Sequence, residues 1–289
     1  MLFLVAALAS AATLTVDLSG GADHATIQRA IDAAADGDRI EVAPGTYAES
    51  IDFGGRDLVV VGTGGPALTI IDPAGGAFAA VLETAEPATA LLEGFRLVAG
   101  TDGALRVAGG ASPTLRNIVV RDGAVPDRSE VYLIDGAAAT FDDCVFADNA
   151  STALSVSGAD ATIIASSFER NHSSINGGAI YVQQGNLDVT DSSFVDNSAW
   201  SAGGAVHLTS DSSATLTESS FRGNEATRAL GSGAADGGAV FARWSDLTVQ
   251  DCLFEGNRAQ YGAHLMLGSG TGVVDGTEWR EGDASLGGA

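Results

Sequence analysis

S-F-E-R-N at Ser167–Asn171, N-G-G-A-I-Y-V at Asn176–Val182, S-F-V-D-N at Ser193–Asn197 and A-G-G-A-V-H-L at Ala202–Leu208 follow one another in a single stretch. Two phrases alternate in it, and both recur outside it. F-x-x-N stands at Phe146/Asn149, Phe168/Asn171, Phe194/Asn197, Phe221/Asn224 and Phe254/Asn257. G-G-A begins at Gly177, Gly203 and Gly237, with Tyr261-Gly262-Ala263 as a weaker copy. An internal repeat of this length means stacked units, each burying a face only against its neighbours, and that decides the fold before any local reading of helix or strand.

The register is shared over several positions. Two residues before each Phe stands a small residue, in order Cys144, Ser166, Ser192, Ser219 and Cys252; five before it stands an apolar one, Phe141, Ile163, Val189, Leu216 and Val249. The same spacing extends backward to Leu115/Ile118/Val120, Leu92/Phe95/Leu97 and Leu58/Val60, and forward to Val274/Thr277/Trp279. Anchors at Val60, Leu97, Val120, Phe146, Phe168, Phe194, Phe221, Phe254 and Trp279 make nine rungs at intervals of 22 to 37 residues, the size of one solenoid turn of short strands. After each G-G-A a second strand alternates, with Ile180 and Val182, Val206 and Leu208, Val240 and Ala242 on one side and Tyr181, His207 and Phe241 on the other. Glycine pairs and the Asn are expected to supply the bends that need positive φ. The reading is an all-β, single-stranded parallel β-helix whose coils stack at about 4.8 Å. Cys144 and Cys252 then share one inward column four rungs, or about 19 Å, apart. A disulfide needs Cα atoms within about 7 Å, so two buried free thiols are expected, in line with Ser166, Ser192 and Ser219.

Ahead of the repeats, Met1–Ala11 is an apolar run closed by Ala9-Ser10-Ala11, the small-x-small form of a secretory cleavage site, although no positive residue precedes it. Thr13–Asp17 alternates as a strand. Ile27, Ala30, Ile31 and Ala34 fall at helical spacing, predicting a helix over Thr26–Ala35 with Asp23 or Thr26 at its start and Gly37 at its end. Such a helix has a role at a solenoid end, where it covers the core cross-section and the unpaired strand edges. The organisation expected is a signal peptide over 1–11, a strand and capping helix over 12–38, and a β-helix over 39–289. Loops are expected to leave the solenoid at Val125–Glu130 and Asn224–Asp236. At the carboxyl end no closing element is evident after Trp279, and the last repeat reads as incomplete.

The run A-T-I-Q-R-A-I-D-A-A-A-D-G-D-R-I-E-V-A-P-G-T-Y-A-E (Ala25–Glu49) resembles the amino-terminal cap and first coil of right-handed β-helix proteins of the pectin lyase-like superfamily. The F-x-x-N and G-G-A phrases resemble polymorphic outer membrane protein repeats. These resemblances together cover Ala25 to the carboxyl end and imply a right-handed solenoid of the non-catalytic, surface-exposed branch. In the enzymes of the superfamily, carboxylates converge on the outer face of one parallel sheet. The corresponding outward positions here hold Arg106, Ser155, Tyr181, His207 and Phe241, with no carboxylate pair. Glycoside hydrolysis needs two carboxyl groups, and β-elimination from a uronate needs a strong base with charge neutralisation. The paired Asp with Gly-His-Gly of the hydrolases, the Gln and Asp pattern of the methylesterases and the Arg-rich strand of the lyases are unmatched, so no catalytic residue carries over.

With 14 Lys and Arg against 37 Asp and Glu, the net charge of −23 argues against nucleic acid, anionic membranes and polyanionic substrates. No stretch after the leader is long and apolar enough to cross a membrane as a helix. His24, His172, His207 and His264 make no metal-ligand spacing, and no cofactor is expected. Acidic residues three before the anchor, Asp143, Asp191, Glu218 and Asp251, admit a Ca²⁺ ladder, but without a Ca²⁺-binding nonapeptide they read as a solvated row of bend residues. Tyr181, His207 and Phe241, stacked and outward, are the candidate binding residues, for a glycan or a host or cell-surface protein. The functional reading is a secreted or cell-surface structural, adhesive or display module. The alternative is a polysaccharide-active enzyme, pectate lyase-like or polygalacturonase-like, with a divergent site. Nothing in the sequence sets an oligomeric state.

Overall fold

In the computed structural model, which describes residues 11–124, 128–227 and 235–287, the chain winds as a parallel β-solenoid. The coil around the opening stretch shows the plan. Asp160–Ile164 lies in a first sheet, Ser167–Glu169 in a second, His172–Ser173 in a small third and Ile180–Gln183 in a fourth, after which Asn186–Thr190 returns to the first sheet one level up. Among the described residues these sheets contain 11, 10, 5 and 9 strands, each paired in parallel with the strands of the coils above and below. Phe141, Ile163, Val189, Leu216 and Val249 are successive partners in the first sheet, and Phe146, Phe168, Phe194, Phe221, Phe254 and Trp279 in the second. The phenyl rings stack face to face at 4.6 to 4.9 Å between centroids, and Trp279 continues the column at 4.7 Å from Phe254.

The bends are αL residues of two kinds. From the coil of Val120 onward, the residue three before the anchor has positive φ, including Asn117, Asp143, Ala165, Asp191, Glu218 and Asp251. So does the residue two after the anchor in these coils, including Asp122, Asp148, Arg170, Asp196, Gly223 and Gly256. The acidic row read as bend residues is therefore the outer corner between the first and second sheets. The Asn of F-x-x-N is not itself in the αL region, contrary to expectation; the residue before it makes the turn, and the amide does other work. Asn149, Asn171, Asn197, Asn224 and Asn257 are 0 or 1% exposed. Each of the first four donates from Nδ2 to Oδ1 of the next, at 2.7, 2.9, 3.0 and 3.0 Å. A second ladder runs through the small column, where the backbone N–H of Cys144, Ser166 and Ser192 donates to the hydroxyl of Ser166, Ser192 and Ser219. Both cysteines are free and buried, and burial pushes the Cys144 thiol up to about 12.

Four expectations are corrected. Val60 is not an anchor: it pairs with Leu92 in the first sheet, and the anchor of its coil is Ile71, opposite Tyr47 and Leu97. The loop between Val60 and Ile71 is longer than in later coils, which broke the spacing, and the second sheet has ten strands instead of nine. The last copy of G-G-A is Gly262-Ala263-His264, because Leu265 pairs with Val240 and puts His264 in the column of Ala239. The helix spans Ile27–Ala33, with Ile27, Ala30 and Ile31 buried; Thr26 sits at its N-cap without a side-chain bond. Its first N–H groups, of Ile27 and Gln28, donate instead to the Glu49 carboxylate at 2.8 and 2.9 Å, a cap supplied from the following coil. Asp23 accepts from Thr15. The helix packs on Thr13–Val16 and Ile51–Asp52, the terminal strands of two sheets, which lays it across the solenoid's first end. Residues 1–10 of the expected signal peptide, 125–127 of the first expected loop and 228–234 of the second lie outside the described residues.

Candidate functional site

The fourth sheet turns one row of side chains outward. In register, the row reads Val81, Arg106, Tyr132, Ser155, Tyr181, His207, Phe241 and Met266. The three sequence-predicted residues do stack: Tyr181 and His207 at 5.4 Å and 13°, His207 and Phe241 at 5.2 Å and 39°. They do not form one open platform. His207 is 7% exposed and Phe241 6%, whereas Tyr181 remains half-buried at the surface. Arg106 is held by Glu83 at 3.4 Å.

Tyr181 borders a groove of about 270 Å³ at the amino-terminal edge of this sheet, whose other aromatic wall is Tyr132, two coils below. Two coils span about 10 Å along the axis. Tyr132 is fixed edge-on against Phe78 at 6.2 Å, and its hydroxyl accepts the Ser129 N–H at 2.7 Å. Between the two rings the lining is hydroxyl-rich, with Ser129, Ser151, Thr152 and Ser173. These groups are preorganised: Thr152 Oγ1 donates to Ser173 Oγ at 3.1 Å, Ser173 Oγ to the Asn176 carbonyl at 2.9 Å, and Ser151 Oγ to Glu130 Oε1 at 2.6 Å. Asn176 also lines the groove, and its side-chain Oδ1 is buried with no hydrogen-bond donor among the described residues. A buried acceptor without a donor is costly unless a ligand or water supplies one. The one charged residue of the described lining, Arg128, is already paired with Asp102 at 2.5 Å. On the rim stands Ile175, 58% exposed; one coil on is Trp200, 47% exposed, whose backbone N–H donates to the Ser173 carbonyl.

This arrangement suits binding of an uncharged, hydroxyl-bearing ligand better than acid–base chemistry. Its described lining contains no Asp, Glu or His. The histidines are dispersed: His172 is exposed with Nδ1 2.8 Å from Ser198 Oγ, and His264 is buried at the far end against Asn257. Among the described residues no three His, Cys, Asp or Glu side chains form a group able to hold a metal ion.

Residues 103–277 match the family described as the right handed beta helix region, more than half of the chain. The chain belongs to the right-handed β-helix family. No curated protein matches it. Solved structures to which the chain is similar include a pectin methylesterase from carrot, at 14% identity and a TM-score of 0.49 over 83% of this chain and 82% of that one. The catalytic domain of a GH87 α-1,3-glucanase in complex with tetrasaccharides matches at 12% identity and a TM-score of 0.44, over 98% of this β-helix and 66% of that chain. At these identities the likeness is one of fold.

Tyr132, Asn176 and the hydroxyl cluster were missed in the sequence. Val131-Tyr132-Leu133 alternates as Ile180-Tyr181-Val182 does, and that was the available signal. It went unread because Ser129 and Glu130 stand where other coils have G-G-A, so the phrase that located the strand is absent. Within the described residues no helix is long and apolar enough to cross a membrane.

Proposed function

We propose that this β-helix is an exported, non-catalytic surface module that binds a neutral glycan in the groove between Tyr132 and Tyr181. The observation that carries the reading is the lining itself. Two aromatic faces can take the C–H-rich faces of sugar rings, ordered hydroxyls and the Asn176 Oδ1, which has no donor among the described residues, can meet sugar hydroxyls, and the one cation of the described lining is already neutralised by Asp102. A net charge of −23 disfavours uronate polymers, consistent with a neutral ligand. The described lining of the groove contains no pair of carboxyl groups of the kind that hydrolysis of a glycosidic bond requires. On this reading the apolar leader carries the chain out of the cell and the solenoid serves as a rigid adhesive or display stalk.

Titration calorimetry with cellohexaose, laminarihexaose, an α-1,3-linked glucohexaose and hexagalacturonate tests it. At least one neutral hexasaccharide should bind with a Kd on the order of 10 μM to 1 mM, and Tyr132→Ala and Tyr181→Ala should each weaken it about tenfold or more. Preference for hexagalacturonate, unchanged binding in both variants, or release of new reducing ends would overturn the proposal.

A further inference from the structure

The row that borders the groove contains a group the binding reading leaves unused. His207 sits directly above Tyr181 in the outward column, its ring nearly parallel to that of the tyrosine at 5.4 Å and covered on the other side by Phe241 at 5.2 Å. It is 7% exposed. The backbone of Ala202 favours the ring's proton. Nδ1 is buried with no hydrogen-bond partner among the described residues. The neutral tautomer with a bare Nδ1 tolerates this site, because a single N–H can be satisfied by the backbone and the ring is otherwise apolar. The imidazolium does not. It has two N–H donors and a charge, and the groups facing it are two aromatic rings, a backbone and the Arg243 side chain, which repels it. Among the described residues no carboxylate is named among the influences on its proton affinity.

We propose that His207 is an acid switch for the groove: protonation drives its ring out of the stack, removes the support of Tyr181 and releases bound glycan. The inference rests on the glycan-binding reading for its consequence, but its mechanical part stands on the stack alone. Burial, the largest influence, and Arg243 lower the affinity of His207 for a proton, to a pKa of about 4, while the Ala202 contact works the other way. The switch is therefore silent at neutral pH and acts in strongly acidic surroundings. Tyr181 is the element that transmits it, being both the wall of the groove and the lower face of the stack.

The test uses the full chain and begins without ligand. Histidine ring and tyrosine ring resonances are followed by NMR from about pH 7.5 down to about pH 3.5. The His207 ring should titrate near pH 4, and the Tyr181 ring signals should move in the same step. In His207→Phe, which keeps a stacked ring without a titrating nitrogen, the Tyr181 step should vanish; His207→Gln serves the same purpose should the phenylalanine variant not fold. The neutral hexasaccharide that binds best at neutral pH should lose affinity about twofold by about pH 4 and about tenfold by about pH 3 in the wild type, and less than about twofold over the whole range in the variant. Tyr181 signals unmoved while His207 titrates, or a step that persists in His207→Phe, would overturn the switch. Failure of every neutral hexasaccharide to bind at neutral pH would instead overturn the glycan reading, and the ligand-free titration would still decide the switch.

Discussion

Asn197 takes part in four side-chain hydrogen bonds: its Oδ1 accepts from the backbone and the side chain of Asn171, and its Nδ2 donates to the Phe168 carbonyl and to Asn224 Oδ1. The residue is fully buried, so no water replaces these partners. Asn197→Ala strands the Asn171 N–H and the Phe168 carbonyl, and should cost about 2 to 4 kcal/mol in urea unfolding. Asn197→Asp, with the same shape, should cost more at neutral pH, because a carboxylate oxygen would then face two acceptors, Phe168 O and Asn224 Oδ1. An aspartate variant as stable as wild type would show that the ladder contributes nothing at this coil. The recurrence of Asn three after Phe was legible in the sequence, and so was its structural importance. Its mode of action was not, since the one-dimensional pattern is equally that of an αL bend residue; the structure puts the bend on Asp148, Arg170, Asp196, Gly223 and Gly256 instead.

The ends of the Asn ladder follow one rule. Beyond Asn149 and Asn257 the Asn position is taken by glycine, Gly123 and Gly282, and at each end a polar side chain from the Ala column of the fourth sheet fills the space. Asn257 Nδ2 lies 3.0 Å from His264 Nδ1, which acts as the acceptor that an Asn of the next coil would have provided. A Cβ at Gly282 would come within 2.5 Å of the His264 ring, and one at Gly123 within 2.2 Å of the Glu130 carboxyl. Gly123 itself donates its N–H to Asn149 Oδ1 at 3.0 Å. Gly282→Asn alone should therefore destabilise the last coil by about 1 to 3 kcal/mol through overpacking. Combined with His264→Ala it should recover, adding one rung to the ladder, and the pair should be non-additive. Hydrogen exchange at Val274 and Trp279 reads this directly; additive losses in the double variant would refute the substitution rule. Without the register of Leu265 against Val240, His264 could not be assigned to an Ala column, and the sequence reading placed it one residue off.

For the molecule as a whole, acid should be destabilising in a defined window. His207 drops from an ordinary 6.5 to about 4 in the fold, so as pH falls the unfolded chain takes up the proton first. Stability is complete above about 6.5, declines between about 6.5 and 4, and levels off below, by on the order of 3 kcal/mol. His264, also lowered by burial, acts in the same direction. Asp148, held low by Arg170, and Asp38, held low by the N–H groups of Ala35 and Ala12, extend the loss below the ordinary carboxylate value. Neutralising carboxylates also relieves the self-repulsion of a chain at −23, which opposes the trend. The comparison is accordingly between wild type and His207→Phe, which share that background. Thermal unfolding at about pH 7.5 and pH 4.5 should show a larger drop in the wild type, and equal drops would refute the assignment to His207.

The residues themselves determined the winding, because in a parallel solenoid each position lies directly over its equivalent one coil below, and like side chains then recur at readable intervals. The phenylalanine column, the Cys–Ser column that keeps Cys144 and Cys252 apart as free thiols, and the stacking of Tyr181, His207 and Phe241 were all set by that periodicity. Tertiary structure alone decided what happens where the period breaks. Ile71 became an anchor because a longer loop precedes it, Glu49 became the helix cap because the next coil brings it to Ile27, and Tyr132 joined Tyr181 as a groove wall across two coils. Burial of His207 and Phe241 belongs to the same class, since exposure depends on what neighbouring segments place over a side chain. A repeat reports which residues stack; coverage and closure arise between segments of different length, where sequence spacing no longer measures distance.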